Sequence, residues 1–202
     1  MAIIGAGFGK YAVAPVFSKL GLETEVVTPR DAAAVERAIA SDADLVSIHS
    51  PPFMHHDHVM MALERGRNVL CDKPFGLNAE QARAMRDKAK ETGVLHFANL
   101  EMRNKPVRAR ILELVLGGAI GEPRHLSWTF ISNGFRGGTH GWVHDKELGG
   151  GWINAYGSHL IDFMRCLFDS EVADCGGVMR TEWATRKDRD GKEQDATAED
   201  AY

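Results

Sequence analysis

Three glycines, Gly5, Gly7 and Gly9, follow a short apolar run, Ala2 to Ile4, and open a helical pattern from about Lys10 to Leu20. A glycine turn between strand and helix lets the main chain approach a pyrophosphate, whose charge then meets the helix N-terminal N–H groups. Gly5, Gly7, Phe8 and Gly9 are the candidate phosphate contacts. The usual third glycine of that pattern falls on Lys10, so the spacing is shifted by one residue. A tight turn with no ligand is the alternative. An acid ~20 residues further on would grip a ribose. Asp31 falls there and could reach a 2′-hydroxyl, or could equally cap the alanine-rich helix that follows it. Arg30 could instead meet a 2′-phosphate. NAD and NADP therefore both stay open as cofactors.

Other reactive side chains are ambiguous alone. His55, His56 and His58 crowd one turn, but three histidines without a Cys or acidic pair in convergent spacing rarely bind zinc, and no metal is expected. His140, Trp142 and His144 lie in a glycine-rich loop, 132–151, where they could touch substrate or simply move with the loop. Arg103, Lys105, Arg108 and Arg110 read better as a solvated helix start than as a nucleic-acid patch.

Elements that would hold these residues are legible along the first half. Apolar runs at Thr24–Thr28, Leu45–Ile48, Asn68–Cys71 and Val94–Ala98 predict strands. Helices are expected over Ala32–Ala40, Asp57–Arg65, from Asn78 to Glu91, and from Pro106 to Gly117, with Pro15 kinking or delaying the first helix. Strands alternating with helices mean βαβ units and a mostly parallel sheet. Beyond Gly121 the texture changes. Strands are expected at His125–Ile131 and Val172–Trp183, a helix at Trp152–Phe168, and an exposed charged loop or hairpin tip at Arg186–Asp200.

The expected fold is α/β: a doubly wound Rossmann sheet over 1–121, then a partial α+β domain with an open sheet over 122–202. At 202 residues the chain matches about one and a half domains of ~150 residues. A net charge of −4 argues against a nucleic-acid partner, and no apolar run approaches the ~18 residues of a membrane span. Three cysteines without a CxxC pair fit a reducing cytoplasm, and Met1 leads straight into the glycine motif with no signal-peptide pattern.

Four further segments carry a family resemblance. Ser50-Pro51-Pro52-Phe53-Met54-His55 resembles the T-P-P-x-x-H turn of the glucose–fructose oxidoreductase/inositol dehydrogenase (Gfo/Idh/MocA) family. Cys71-Asp72-Lys73-Pro74 is similar to its E-K-P motif, with Asp in place of Glu. Gly149-Gly150-Gly151 followed by Gly157-Ser158-His159-Leu160-Ile161-Asp162 resembles its GGG…GxHxxD segment, and 117–123 its junction into the second domain. Order and spacing agree along nearly the whole chain.

The resemblance implies NAD(P)-dependent hydride transfer on sugars, cyclitols or related polyols, with the nicotinamide between Lys73 and the helix carrying His159. It implies that Ser50, Pro51, His55 and Asp72 lie by the cofactor, a cis peptide at Lys73-Pro74, a homo-oligomer, and a chain cut short at its C-terminus. Lys73, at a strand's C-terminal end, could trade a proton or polarise a carbonyl. A surface lysine beside a turn is its plainer reading. His159 could accept the hydroxyl proton and return it, or simply pack on an apolar helix. Tyr156 shares its side of a regular helix and, with Arg103, could contact substrate. Asp162 would orient the histidine or cap a neighbour. The family's usual acid, four residues before the histidine, is Ala155, and Asn154 cannot face the same way on a regular helix. Glu101-Met102-Arg103 likewise departs from the family's N-x-R. That missing acid motivates a competing reading, a nucleotide-binding sensor or partner subunit without turnover; the chain's length motivates another, an inactive truncated fragment.

Overall fold

The computed structural model describes residues 1–133 and 138–202; the stretch 134–137 of the glycine-rich loop lies outside the described residues. Contacts divide the chain into two units, Met1–Asn99 and Leu100–Tyr202. The contact division therefore falls before the expected boundary near Gly121, and the Pro106 helix belongs to the second unit.

In the first unit five parallel strands, β1 (Ala2–Ile4), β2 (Glu25–Val27), β3 (Leu45–Ile48), β4 (Asn68–Asp72) and β5 (His96–Asn99), pair in the order β2-β1-β3-β4-β5. Side chains alternate across a strand, so β1 serves two cores. Ala2 and Ile4 pack with Val35, Ile39, Val46, Leu63 and Met85, from the sheet and from α2 (Ala32–Ala40), α3 (Pro52–Glu64) and α4 (Ala79–Thr92). Ile3 packs with Val13 and Ala14 on the other face. Helices on both faces make this the doubly wound α/β fold that the sequence predicts.

Local signals start the helices. Asp31 accepts the Ala34 N–H at 3.0 Å, so its capping role is realised. Asn78 accepts the Gln81 N–H, and Gly93 ends α4 at φ +70°. Pro52 at the first turn starts α3 five residues earlier than the sequence predicts. The first helix opens as a π-turn, Gly9–Val13, before α1 (Ala14–Lys19). Pro15 has no N–H to offer and its ring crowds the preceding turn; the wider turn relieves this, with the Ala14 N–H bonded to the Gly9 carbonyl.

The second unit holds a 3₁₀ turn (Glu101–Asn104), α5 (Pro106–Leu116), a second π-turn (Ile153–Gly157) and α6 (Ser158–Phe168). It closes with an antiparallel hairpin, β6 (Thr185–Lys187) and β7 (Glu193–Asp195), within the predicted hairpin tip. The expected strands at His125–Ile131 and Val172–Trp183 do not form; among the described residues the second stretch contributes only an isolated bridge, Arg180 to Ala201. The first is rich in β-formers, Trp128 to Ile131, and the second is broken by Gly176 and Gly177; strand propensity acts through a pairing neighbour, and these stretches have no partner strand among the described residues.

Candidate functional site

The C-terminal edge of the first sheet is built around His49, one residue past β3. Its ring bridges Ser47 Oγ (Nε2, 2.7 Å) and Asp72 Oδ2 (Nδ1, 3.2 Å), with a fully buried side chain. With Nδ1–H donating to the carboxylate, Nε2 accepts the Ser47 hydroxyl proton, an assignment set by the network. Asn99 Nδ2 donates to the other Asp72 oxygen at 3.0 Å. Asp72 thus braces the ends of β3, β4 and β5. Burial pushes its carboxyl up, but the His49 and Asn99 hydrogen bonds and the Lys73 charge outweigh that and hold it below the usual range.

The glycine turn leans on this brace. A Cβ at Gly5 would sit 2.8 Å from His49 Cβ and 2.9 Å from its carbonyl oxygen. At Gly9 it would meet Ile3 Cγ2 at 3.0 Å and His49 Cβ at 3.2 Å. The π-turn therefore assigns close packing on the sheet to Gly9, and Lys10 stays exposed. Gly7 differs: nothing lies within 4 Å of its would-be Cβ. Its main chain is open at the switch point of the strand order, between β1 and β3, where such sheets bind ligands. Phe8, 48 % exposed, and Arg30 are open as well.

Lys73 follows directly on β4, half-buried, and its peptide bond to Pro74 is cis, as expected from the resemblance. Behind it His55 is a clamp. Nδ1 lies 2.7 Å from the Pro74 carbonyl and Nε2 2.6 Å from that of Ser50. Burial disfavours the imidazolium, against the pull of both carbonyls and of Asp72, and the net effect is a lowered pKa. The Ser50 hydroxyl pairs with His58 Nδ1 at 3.1 Å, and Pro51 precedes α3 as its N-cap residue. Read from sequence as cofactor contacts, the His55 and Ser50 side chains are spent inside the fold and shape the Lys73 turn from within. No group of three or more His, Cys, Asp or Glu among the described residues is arranged to hold a metal.

In the second unit the glycine triplet is structural. A Cβ at Gly150 would meet three carbonyl oxygens within 2.7 Å, and Gly151 has φ +103°. Asn154 donates to the Gly149 and Gly150 carbonyls, and Glu199 Oε1 accepts the Ile153 N–H at 2.8 Å. His159, on α6, is 2 % exposed. Its Nε2 lies 3.8 Å from Glu101 Oε1. Arg103 donates through Nε (2.9 Å) and Nη2 to both oxygens of the buried Asp162. The pair ties the 3₁₀ turn to α6. Tyr156 forms a three-ring cluster with Phe130 (4.2 Å) and Trp152 (5.6 Å), and its hydroxyl accepts from Arg108 Nη2 at 3.2 Å. Arg108 is buried, its guanidinium 5.3 Å from the Trp128 ring centroid and 5.2 Å from that of Phe163, so the reading of a solvated basic cluster fails there.

Two family models divide the chain between them. Residues 1–100 match "Oxidoreductase family, NAD-binding Rossmann fold", and residues 109–200 match "GFO/IDH/MocA C-terminal domain". The chain belongs to the Gfo/Idh/MocA oxidoreductase family. Among curated relatives of that family, D-glucoside 3-dehydrogenase of Escherichia coli is 35 % identical over 61 % of this chain and 35 % of its own length. Levoglucosan dehydrogenase of Pseudarthrobacter phenanthrenivorans is 27 % identical over 72 % of this chain and 38 % of its own. An oxidoreductase domain protein from Kribbella flavida superimposes with a TM-score of 0.73 at 24 % identity, over 98 % of this chain and 52 % of that one, a likeness of fold. The chain spans about half the length of the curated relatives it matches, or less.

Four residues of this network, His49, Asn99, Glu101 and Arg108, carry no site role in the sequence-based expectation. His49 and Asn99 each fall one residue past a predicted strand, where a histidine and an amide beside a glycine turn and an Asp-Lys-Pro turn are a usable signal. Glu101 and Arg108 gave none, because their partners lie about 50 residues away or more.

Proposed function

We propose that the protein is an NAD(P)-dependent oxidoreductase that interconverts an alcohol and a ketone on a sugar, cyclitol or related polyol. The observation that carries this reading is the open main chain at Gly7, at the switch point of the β2-β1-β3 order. A dinucleotide fits there: its pyrophosphate needs a backbone that no side chain shields, and Phe8 and Arg30 are exposed for further contact. The names of the relatives, a glucoside dehydrogenase and a levoglucosan dehydrogenase, support a sugar-like substrate.

When bound, the nicotinamide supplies the hydride acceptor or donor. The chain's own residues handle the proton. His159 takes the hydroxyl proton during oxidation and returns it during reduction; its buried ring excludes water from that exchange. Lys73 follows the strand end that Asp72 braces, and its ammonium polarises the substrate oxygen. Tyr156, held by Arg108 and two rings, presents a fixed aromatic edge for the substrate.

The reading extends to a cytoplasmic homo-oligomer acting on small molecules, with no nucleic-acid partner. Support comes from three free cysteines and the net charge of −4. No helix among the described residues is long and apolar enough to cross a membrane.

The test is nicotinamide absorbance during incubation with NAD or NADP and a panel of sugars and cyclitols. Turnover that Lys73→Met and His159→Ala each lower by ~10²-fold or more is expected. Cofactor binding without turnover on any member would reject the proposal.

A further inference from the structure

Glu101 and Asp162 are the two carboxylates that bear on His159, the first by an ion-pair approach to its ring and the second three residues along the same helix. Asp162, one turn along α6, is committed to Arg103 through both oxygens. The preceding turn offers none: position 155 is alanine, and Asn154 is spent on the glycine turn. Glu101 comes instead from a separate element, with Oε1 3.8 Å from His159 Nε2. That is an ion-pair separation, longer than a hydrogen bond. Catalytic hydrogen bonds are often this long before substrate arrives.

The approach is built. Glu101 opens the 3₁₀ turn Glu101–Asn104, and Arg103 on that same turn grips Asp162 on the helix of His159. The Glu101 side chain is 41 % exposed and that of His159 about 1 %, so the ring is enclosed while part of the glutamate meets solvent.

We propose that Glu101 is the carboxylate partner of His159, a positioning residue that stabilises the imidazolium formed when the histidine takes the substrate proton. The proposal rests on the oxidoreductase reading above. In the oxidative direction the substrate O–H bond breaks, its proton joins the imidazole, and hydride leaves the same carbon for the nicotinamide, leaving the carbonyl. Glu101 stays ionised throughout and exchanges no atom. Other groups about the ring keep fixed roles. Arg108 donates to the His159 backbone carbonyl at 3.5 Å and to Tyr156, and Arg103 neutralises Asp162. Glu101 is then the carboxylate whose charge answers a proton on the ring.

The test compares the protein with Glu101→Gln and Glu101→Asp. NMR of the histidine C–H signals gives the His159 titration directly, without turnover; the pH profile of kcat gives it in function. Glu101→Gln is expected to move the His159 midpoint to lower pH, to shift the profile the same way and to lower kcat ~10-fold or more. Glu101→Asp is expected to recover part of each effect. Unchanged midpoint and kcat in Glu101→Gln, with the thermal unfolding temperature preserved, would overturn the proposal. If the unsubstituted protein shows no turnover, the oxidoreductase reading fails, while the NMR titration still decides the Glu101–His159 pairing.

Discussion

Arg103 holds Asp162 with two guanidinium nitrogens, joining a 3₁₀ turn to the helix that carries His159. Asp162 is 4 % exposed and Arg103 41 %. Removing the arginine strands a buried carboxylate, whereas removing the aspartate frees an arginine that water can reach. Arg103→Ala should therefore destabilise more than Asp162→Ala, by about 2–3 kcal/mol for the arginine after allowing for its exposure. Chemical denaturation of both variants measures it; equal losses would refute the asymmetry.

The glycine turn separates folding from binding. Gly5→Ala places a Cβ against the His49 backbone, which cannot yield cheaply, and should cost about 1–3 kcal/mol. Gly7→Ala meets nothing in the protein, so its unfolding temperature should match the parent. Its dinucleotide affinity should fall roughly tenfold, ~1.4 kcal/mol. Calorimetric titration with NAD and NADP reads this. A Gly7→Ala protein that binds normally would remove the phosphate turn from the account.

Asp72 ties stability to acid. Its folded pKa is held down mainly by His49 and Asn99 against the effect of burial. The stability it contributes is complete above its unfolded value, ~3.9, and is lost as pH falls through the lower folded value. Asp72→Asn should destabilise at neutral pH and lose that acid dependence. Unfolding temperatures from pH 2 to 7 check this, and parallel curves for the two proteins would sink it.

His55 and His58 act in a different window. Burial lowers both pKa values below 6.5. The unfolded chain then takes up more protons as pH drops below that value, so stability should decline from pH 7 toward pH 5. His58→Gln should flatten the slope. A parent protein equally stable at pH 5 and 7 would contradict the assignment of two neutral buried rings.

Legibility followed the range of the cause. The first-unit strands and the caps at Asp31 and Asn78 were readable because alternation and capping act over a few residues. The two π-turns were hidden in the sequence reading. There the shifted glycine at Gly9 looked like a defect, yet the widened turn restores its contact with Ile3. The His49–Asp72 brace and the Glu101–His159 approach depend on elements that meet only in the fold. The missing strand at 125–131 shows the converse: local propensity without a partner makes no sheet.

Hydride transfer itself can be followed by mass. The protein is incubated with oxidised cofactor and a sugar deuterated at the carbon whose hydroxyl is oxidised, and the reduced cofactor is weighed. The account predicts one deuterium on the nicotinamide ring, with formation slowed by Lys73→Met and His159→Ala. Bound cofactor that gains no label from any sugar or cyclitol offered would contradict it.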